Sequence, residues 1–430
     1  MDNSSNIKFM FRLPKILKDR FNLACQKSGV SSSSVLRMLI TNYIDIHSAD
    51  NQTLERESVK LKKTVESKGE NKFSIGEMYC GPGGIGYAAK NSSIIHKDIL
   101  YKFTHRWATD YHADTCMTYE NNIAKYEDNC DVIHTDITKY DISKLPNVDG
   151  FLYGFPCNDF SITGETKGLD GKFGPLYLYG VRYIDKCNPK FFFAENVSGI
   201  SSANSGEAFK KILKDLSEAG KFGYKLTIHK YKFEDYGIPQ ARHRIIIIGM
   251  RSDLGVKFKV PKPSMKKMTV KNCIEDPPIE KTVGNQELTR QSVTVVERLK
   301  HIKPGENAWT ADIPEHLKLN VKGARLSMIY KRLDPDQPSY TVTGSGGGGT
   351  HVYHWDEPRA LTNRERARIQ TFPDSFTFFG SKESVRRQIG MAVPVEGAKI
   401  ILEAVLKTIA GQQYECVDAS HNYEDFVKDH

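Results

Sequence analysis

Phe73-Ser74-Ile75-Gly76-Glu77-Met78-Tyr79-Cys80-Gly81-Pro82-Gly83-Gly84-Ile85-Gly86 reads as a strand that ends in a glycine-rich turn and opens a helix. Glycines at such a turn let the chain bend tightly and let its backbone approach a ligand closely. A tight strand–helix turn with no ligand is the plain structural alternative. Pro82 interrupts the spacing and no Gly-Lys-Ser/Thr follows, so a P-loop is excluded. From this stretch to Met250, strands alternate with helices. Strands are expected at 73–79, 103–109, 131–134, 149–154, 190–195, 225–232 and 244–250, with helices at 112–121, 176–186 and 206–219. The alternation predicts an α/β fold built on a parallel sheet.

Open sheets of this kind place their chemistry at the C-terminal ends of the strands, and four further features lie at strand ends. Asp110 closes the second strand, where it can bind ribose hydroxyls or simply cap a helix. Gly154-Phe155-Pro156-Cys157-Asn158-Asp159-Phe160-Ser161 follows the fourth strand. There Cys157 can serve as a thiolate nucleophile in a positive environment, or as a small buried side chain. Phe191-Phe192-Phe193-Ala194-Glu195-Asn196-Val197 is an apolar strand ending in a carboxylate suited to carrying a proton, or to capping a helix. Gln240-Ala241-Arg242-His243-Arg244 sets two guanidiniums before a strand, fit for a phosphate or a base carbonyl, or for surface ion pairs.

Outward from this body the chain changes character. Residues 1–47 form a small unit: Ile7, Phe9, Phe11 and Leu13 alternate along one strand, Pro14 opens a helix, and Ser31–Ser34 caps a second. Residues 48–72 read as a polar linker and 73–250 as the catalytic body. Residues 251–331 carry 16 Lys or Arg against 9 Asp or Glu and lose the strand–helix rhythm. Residues 332–410 return to compact sequence with an amphipathic helix from about 394 to 409, and 411–430 form a polar tail expected to fray.

The net charge of the 430 residues is +9. Residues 1–72 hold 13 basic and 8 acidic groups, so the excess lies in two regions flanking a near-neutral middle. That pattern points to a polyanion contacted from two places. No apolar run approaches the roughly 20 residues that span a bilayer, and charges at Lys8, Arg12, Lys15 and Lys18 interrupt any signal-peptide core. Eight cysteines include no Cys-x-x-Cys pair. We therefore expect no metal site, reduced thiols, a cytoplasmic location and no membrane partner.

The ordered set resembles the DNA cytosine-C5 methyltransferases over about residues 73–410. It comprises Glu77–Gly86, Gly154–Ser161, Glu195-Asn196-Val197 and Gln240–Arg244. These are followed by Arg332-Leu333-Asp334-Pro335, Pro338–Val342, Leu361–Gln370 with Phe372-Pro373-Asp374, and Gly390-Met391-Ala392-Val393-Pro394. Asn158 stands where the family usually has Gln, Met391 where it has Asn, and Phe173–Leu176 replaces an Arg-Gly helix start.

The resemblance implies a Rossmann-like S-adenosylmethionine-dependent methyltransferase sheet with a smaller target-recognition domain at 251–331. It implies Cys157, Glu195, Arg242 and Arg244 as catalytic residues. Tyr79, Gly81, Gly83, Gly84, Asp110, Asp136, Ile137, Pro156, Met391 and Val393 would hold the cofactor. Duplex DNA would be the partner, with the target base flipped from the stack, and Lys257, Lys259, Lys262, Lys266 and Lys267 would meet its phosphates. Host protection alongside a restriction endonuclease is the implied setting. A tRNA cytosine methyltransferase and a DNA-binding regulator with an inactive body are the competing readings.

Residues 7–46 resemble the ribbon–helix–helix DNA-binding proteins. In such proteins Lys8, Met10 and Arg12 would face the major groove, the unit would form a homodimer through residues 1–47, and the chain's own promoter would be a target.

Overall fold

The computed structural model describes Phe21 and residues 69–155, 176–201, 206–320, 326–347 and 349–427. The expected N-terminal unit with Lys8, Met10 and Arg12, all but the last residues of the linker, and Pro156 and Cys157 lie outside the described residues.

A central eight-stranded sheet organises the rest. β1 (Gly69–Met78) lies between β3 (Ile99–Asp110) and β5 (Gly150–Gly154), parallel to both. β2 (Ser93–His96) pairs antiparallel with the start of β3, and β4 (Asp131–His134) pairs parallel with its end. Beyond β5 come β6 (Phe191–Val197), β9 (His243–Arg251) and β7 (Tyr224–Lys232).

Two strands depart from the expected parallel order: β2 is antiparallel to β3, and β9 runs antiparallel to both β6 and β7. Only residues 233–242 join β7 to β9, holding one turn of 3-10 helix and the two-residue β8 (Gln240–Ala241). A parallel return takes a crossover of about a dozen residues or more, so this short connection forces a hairpin-like reversal.

Both faces of the sheet are covered, and for that reason its strands read as continuous apolar runs. Phe191, Phe193, Ile246 and Ile248 join one core with Ile75 and Phe103. Phe192, Ala194, Ile245 and Ile247 join the other with Trp107 and Phe151. Helices α1 (Gly84–Lys90) and α9 (Val395–Ala410) cover the first face, and α9 buries Ala398, Ile401, Leu402 and Val405 at helical spacing. Helices α3 (Tyr177–Cys187) and α4 (Glu207–Glu218) cover the second. Helix α2 (Ala113–Asn122) packs beside β3 and β4.

The smaller layer does not follow the expected boundaries. Residues 256–261 lie along the sheet: Phe258 is in the first core, and β10 (Val260–Pro261) pairs with β11 (Cys416–Val417). The layer proper starts at α5 (Val270–Glu275), includes α6 (Val293–Lys300), and extends past 331. There Leu333, Val342, Val352, Trp355 and Leu361 pack on Val270 and Ile274, while Tyr330 and Tyr353 pack on Leu299 and Ile302. The 332–361 stretch thus completes the small layer, and the chain rejoins the main body at α7 (Asn363–Ile369) and α8 (Lys382–Met391). The tail, expected to fray, is docked through residue 426. His421 bridges to Ile228, and Phe426 meets Phe209 edge-on at 5.2 Å. Its aromatic residues find apolar partners that composition alone does not reveal. No helix among the described residues is long and apolar enough to cross a membrane.

Gly76 leaves room for the fully buried Trp107 on the neighbouring strand: a Cβ on Gly76 would stand 2.2 Å from the indole. Gly76→Ala should therefore destabilise the fold by about 1–3 kcal/mol through overpacking. Denaturant titration followed by tryptophan emission measures this, and a change within about 0.5 kcal/mol would contradict the packing.

Candidate active site

The turn after β1 is conformationally demanding. Tyr79, Gly81 and Gly83 all have positive φ, at 59°, 54° and 95°. A non-glycine residue in that region is strained, and such strain collects at ligand sites. The Tyr79 hydroxyl donates to the Leu176 carbonyl at 2.9 Å, and burial holds it well above the usual phenol range. A Cβ on Gly81 would meet open space, so ligand approach is unobstructed there. Gly83 and Gly84 instead serve close packing. Their Cβ positions would stand 2.4 Å from Ile123 and 2.5 Å from the Val393 carbonyl. Val393 is itself buried and Met391 is exposed.

Asp110 sits at the end of β3 with its carboxylate accepting N–H bonds from Gly81 (3.0 Å) and His112 (2.9 Å). Burial raises its pKa, against those two hydrogen bonds. Beside it Tyr111 is 64% exposed, an aromatic face at a strand end where an apolar ring would ordinarily be covered. Tyr111 lies outside the family motifs, and an aromatic directly after a strand-end acid is its one local signal in the sequence. Asp136 accepts from the Thr138 N–H and hydroxyl, capping a 3-10 turn, and Ile137 is buried behind it. Two carboxylates, two tyrosines and an open glycine backbone at neighbouring strand ends suit a nucleoside carrying a positive charge.

At the ends of β5 and β6 the chemistry changes. Glu195 lies opposite Gly154 in register, and a Cβ on Gly154 would stand 3.1 Å from its carboxylate. Arg244 Nε meets Glu195 Oε1 at 2.8 Å, both side chains being about seven-eighths buried. Asn196, 3% exposed, donates from Nδ2 to the Phe155 carbonyl at 3.1 Å. It thereby fixes the last described residue before Pro156 and Cys157. The strand reading gave Asn196 no role of its own; its contact is across strands and leaves no local signature.

Arg242, expected to act beside Arg244, does something else. Its N–H bonds back to the Gln240 carbonyl at 2.9 Å, a tight turn between β8 and β9 that breaks strand alternation. The side chain is 1% exposed and donates to the carbonyls of Val342 and Gly390, each at 3.0 Å. These contacts let it position the segments that they join. Gln240 and Gln370 reinforce the same junction, bonded to each other at 2.9 Å and to Val342, Ile389 and Ala392.

The five basic residues expected on DNA are also separated. From Arg251 the chain starts at the sheet end remote from Glu195 and runs beside β7, where the Thr227 hydroxyl donates to the Phe258 carbonyl and Lys257 and Lys259 are exposed on either side of it. Lys262 pairs with Glu415 at 3.0 Å. Lys266 and Lys267 alone reach the site's end of the sheet, beside Asp235–Gly237, and remain exposed.

The family described as C-5 cytosine-specific DNA methylase matches residues 73–407, and the chain belongs to that family. It is a DNA (cytosine-5-)-methyltransferase whose cofactor is S-adenosylmethionine. The Type II methyltransferase M.BbvI of Brevibacillus brevis is 54% identical over 361 residues, covering 82% of this chain and 96% of that one. M.NgoFVII of Neisseria gonorrhoeae, also a Type II methyltransferase, is 38% identical over 323 residues, covering 73% and 83%. In fold the chain is similar to a methyltransferase encoded within an E. coli prophage, with TM-score 0.60, 22% identity and coverage of 78% and 99%.

Glu77 lies under the glycine turn, buried, with the Tyr119 hydroxyl donating to it at 2.9 Å. Burial pushes its pKa from 4.5 up to about 8, against bonds from Tyr119 and Gly86. Folding therefore takes up a proton between those values. The stabilisation is full below pH 4.5 and is lost as pH rises through about 8. In that window stability should fall by up to about 1.4 kcal/mol per pH unit, and Glu77→Gln should remove that component. Denaturation series at several pH values test it; parallel curves for the two proteins would show that Glu77 is already ionised in the fold.

Proposed function

We propose that the chain methylates C5 of a cytosine within a specific duplex DNA sequence, as the modification enzyme of a Type II restriction–modification system. The names of M.BbvI and M.NgoFVII support the setting. The observation that carries the chemistry is the buried Glu195–Arg244 pair beside the strand end that leads into Pro156-Cys157.

In this reading the Cys157 thiolate adds to C6 of a flipped cytosine, forming a C–S bond and pushing electron density onto the ring. Glu195 delivers a proton at N3 and accepts a hydrogen bond from the exocyclic amine. Arg244 orients that carboxylate and donates to the base carbonyl. The bound cofactor supplies the methyl group, as S-adenosylmethionine does throughout this chemistry. Tyr79, Gly81, Asp110, Tyr111, Asp136 and Pro156 would hold it. Loss of the C5 proton then breaks the C–S bond and frees the thiolate. Lys266 and Lys267 meet backbone phosphates at the mouth of the site. Residues 1–47 add a second DNA contact as a ribbon–helix–helix dimer, acting on the chain's own promoter.

Tritiated-methyl transfer to duplex DNA, followed by bisulfite sequencing, tests the activity and maps the site. Cys157→Ser should reduce transfer more than about a thousandfold, since a serine hydroxyl is a far weaker nucleophile at neutral pH. DNA binding should persist, and wild-type protein should form a denaturation-resistant adduct with 5-fluorocytosine DNA. A near wild-type rate in the serine variant would sink the covalent mechanism.

Deleting residues 1–47 should leave methylation intact, because the family match begins at residue 73. It should lower the oligomeric state and flatten the salt dependence of binding to upstream DNA. Sedimentation and gel-shift titrations check both; unchanged affinity and salt slope would remove the regulatory role.

A further inference from the structure

Thr343-Gly344-Ser345-Gly346-Gly347-Gly348-Gly349 has no side chain larger than threonine. The run begins one residue past Val342, whose carbonyl Arg242 holds, and Arg242 is two residues before the Arg244 that pairs with Glu195. Thr343, Ser345 and Gly347 are exposed, and the Thr343 and Ser345 hydroxyls lie 2.6 Å apart.

Three arginines stand behind this exposed backbone. A Cβ on Gly344 would lie 3.1 Å from Arg387 Cα. One on Gly346 would lie 2.5 Å from Arg386 Nε and 2.7 Å from His351 Cε1. Arg366 sits behind His351, with Nη2 and His351 Nδ1 3.3 Å apart. Burial and the neighbouring cations push His351 down to about 4, so its neutral ring accepts that bond.

Arg366 is 1% exposed, yet its Nε and Nη1 have no hydrogen-bond partner among the described residues. The buried Nε atoms of Arg386 and Arg387 have none either, while Arg387 Nη2 donates to the Ser384 hydroxyl at 3.3 Å. Other arginines of the same region are satisfied. Arg364 donates to three carbonyls, and Arg368 grips Asp374 and further carbonyls. The acid next to Arg366, Glu365, is engaged on both oxygens by Arg359. No carboxylate among the described residues pairs with Arg366, Arg386 or Arg387. Buried guanidinium N–H groups that lack an acceptor, on side chains that lack a counter-ion, are costly, and such groups in a native fold call for a ligand.

We propose that Arg366, Arg386 and Arg387, with the glycine-rich backbone before them, seat one phosphodiester of the substrate duplex close to the target cytosine. Planar guanidinium forks match phosphate oxygens. Side-chain-free backbone lets the phosphate come close enough to reach them, with Thr343 and Ser345 as further donors. The seat rests on the DNA reading above, and it positions the strand from which the base is flipped.

The test uses full-length protein and a duplex oligonucleotide carrying the mapped site, with single phosphates replaced in turn by neutral methylphosphonates. Wild type should show a phosphate near the target whose neutralisation weakens binding about tenfold or more. In Arg386→Gln, a half-buried position, that phosphate should become silent, and the slope of log affinity against log salt should shrink by about 0.9. Arg366→Gln should do the same and serves as the second variant. Identical phosphate scans and salt slopes in wild type and both variants overturn the proposal. Melting in sulfate against chloride at equal ionic strength separates the sources. Sulfate protection of wild type alone, with unchanged scans, means a free-anion site and also overturns it. Wild type that methylates the duplex while failing the scan sinks only this seat; wild type that neither binds nor methylates sinks the DNA reading with it.

Discussion

The Arg242 guanidinium is the contact on which the working end of the molecule depends. It is buried and donates to main-chain carbonyls 100 and 148 residues further along the chain. One side chain therefore joins the start of β9, the segment entering the glycine-rich run and the end of α8. Hydrogen bonds from a charged donor are the stronger kind, and losing one partner of such a buried set costs several kcal/mol because the others are stranded. Arg244 inherits its direction from this anchor, and so does the carboxylate of Glu195 that it meets.

The same device recurs across the small layer. Arg332 donates to the carbonyls of Leu299, Ile302 and His354, and Arg298 to that of Leu317. The layer has modest apolar clusters, little regular structure and long irregular connections. Buried guanidiniums satisfy carbonyls that would otherwise be stranded inside loops. A loop-rich element can then hold one shape without a large core.

Much of the fold was legible because a sheet covered on both faces writes itself as apolar runs, and the strand positions followed within a few residues. Direction was not legible. Ile245–Ile248 looks the same whether β9 runs up or down, and only the length of the β7–β9 connection decides it. At the site, Glu195 and Arg244 were readable as residue types at a strand end. The junction that Arg242 holds was not, because a backbone turn at Gln240 takes it out of the pleat. Lys257, Lys259 and Lys262 were grouped by charge with Lys266 and Lys267, but charge does not report how far the chain climbs the sheet between them. Gly83 and Gly84 were readable as turn glycines, but their packing role was not, because it depends on Ile123 and Val393, distant in sequence.

The cover supplied by α9 has a consequence for how the protein is made. Phe191, Phe193, Ile246 and Ile248 belong to strands that are complete by residue 251, yet the helix that seals their face spans Val395–Ala410. At about 5–20 residues per second, a ribosome takes roughly 7–30 s to synthesise the intervening segment. During that interval a half-built sheet presents a greasy face to the cell, and the chain must be shielded or must wait unfolded. The last tenth of the polypeptide therefore governs whether the first strands survive their own synthesis.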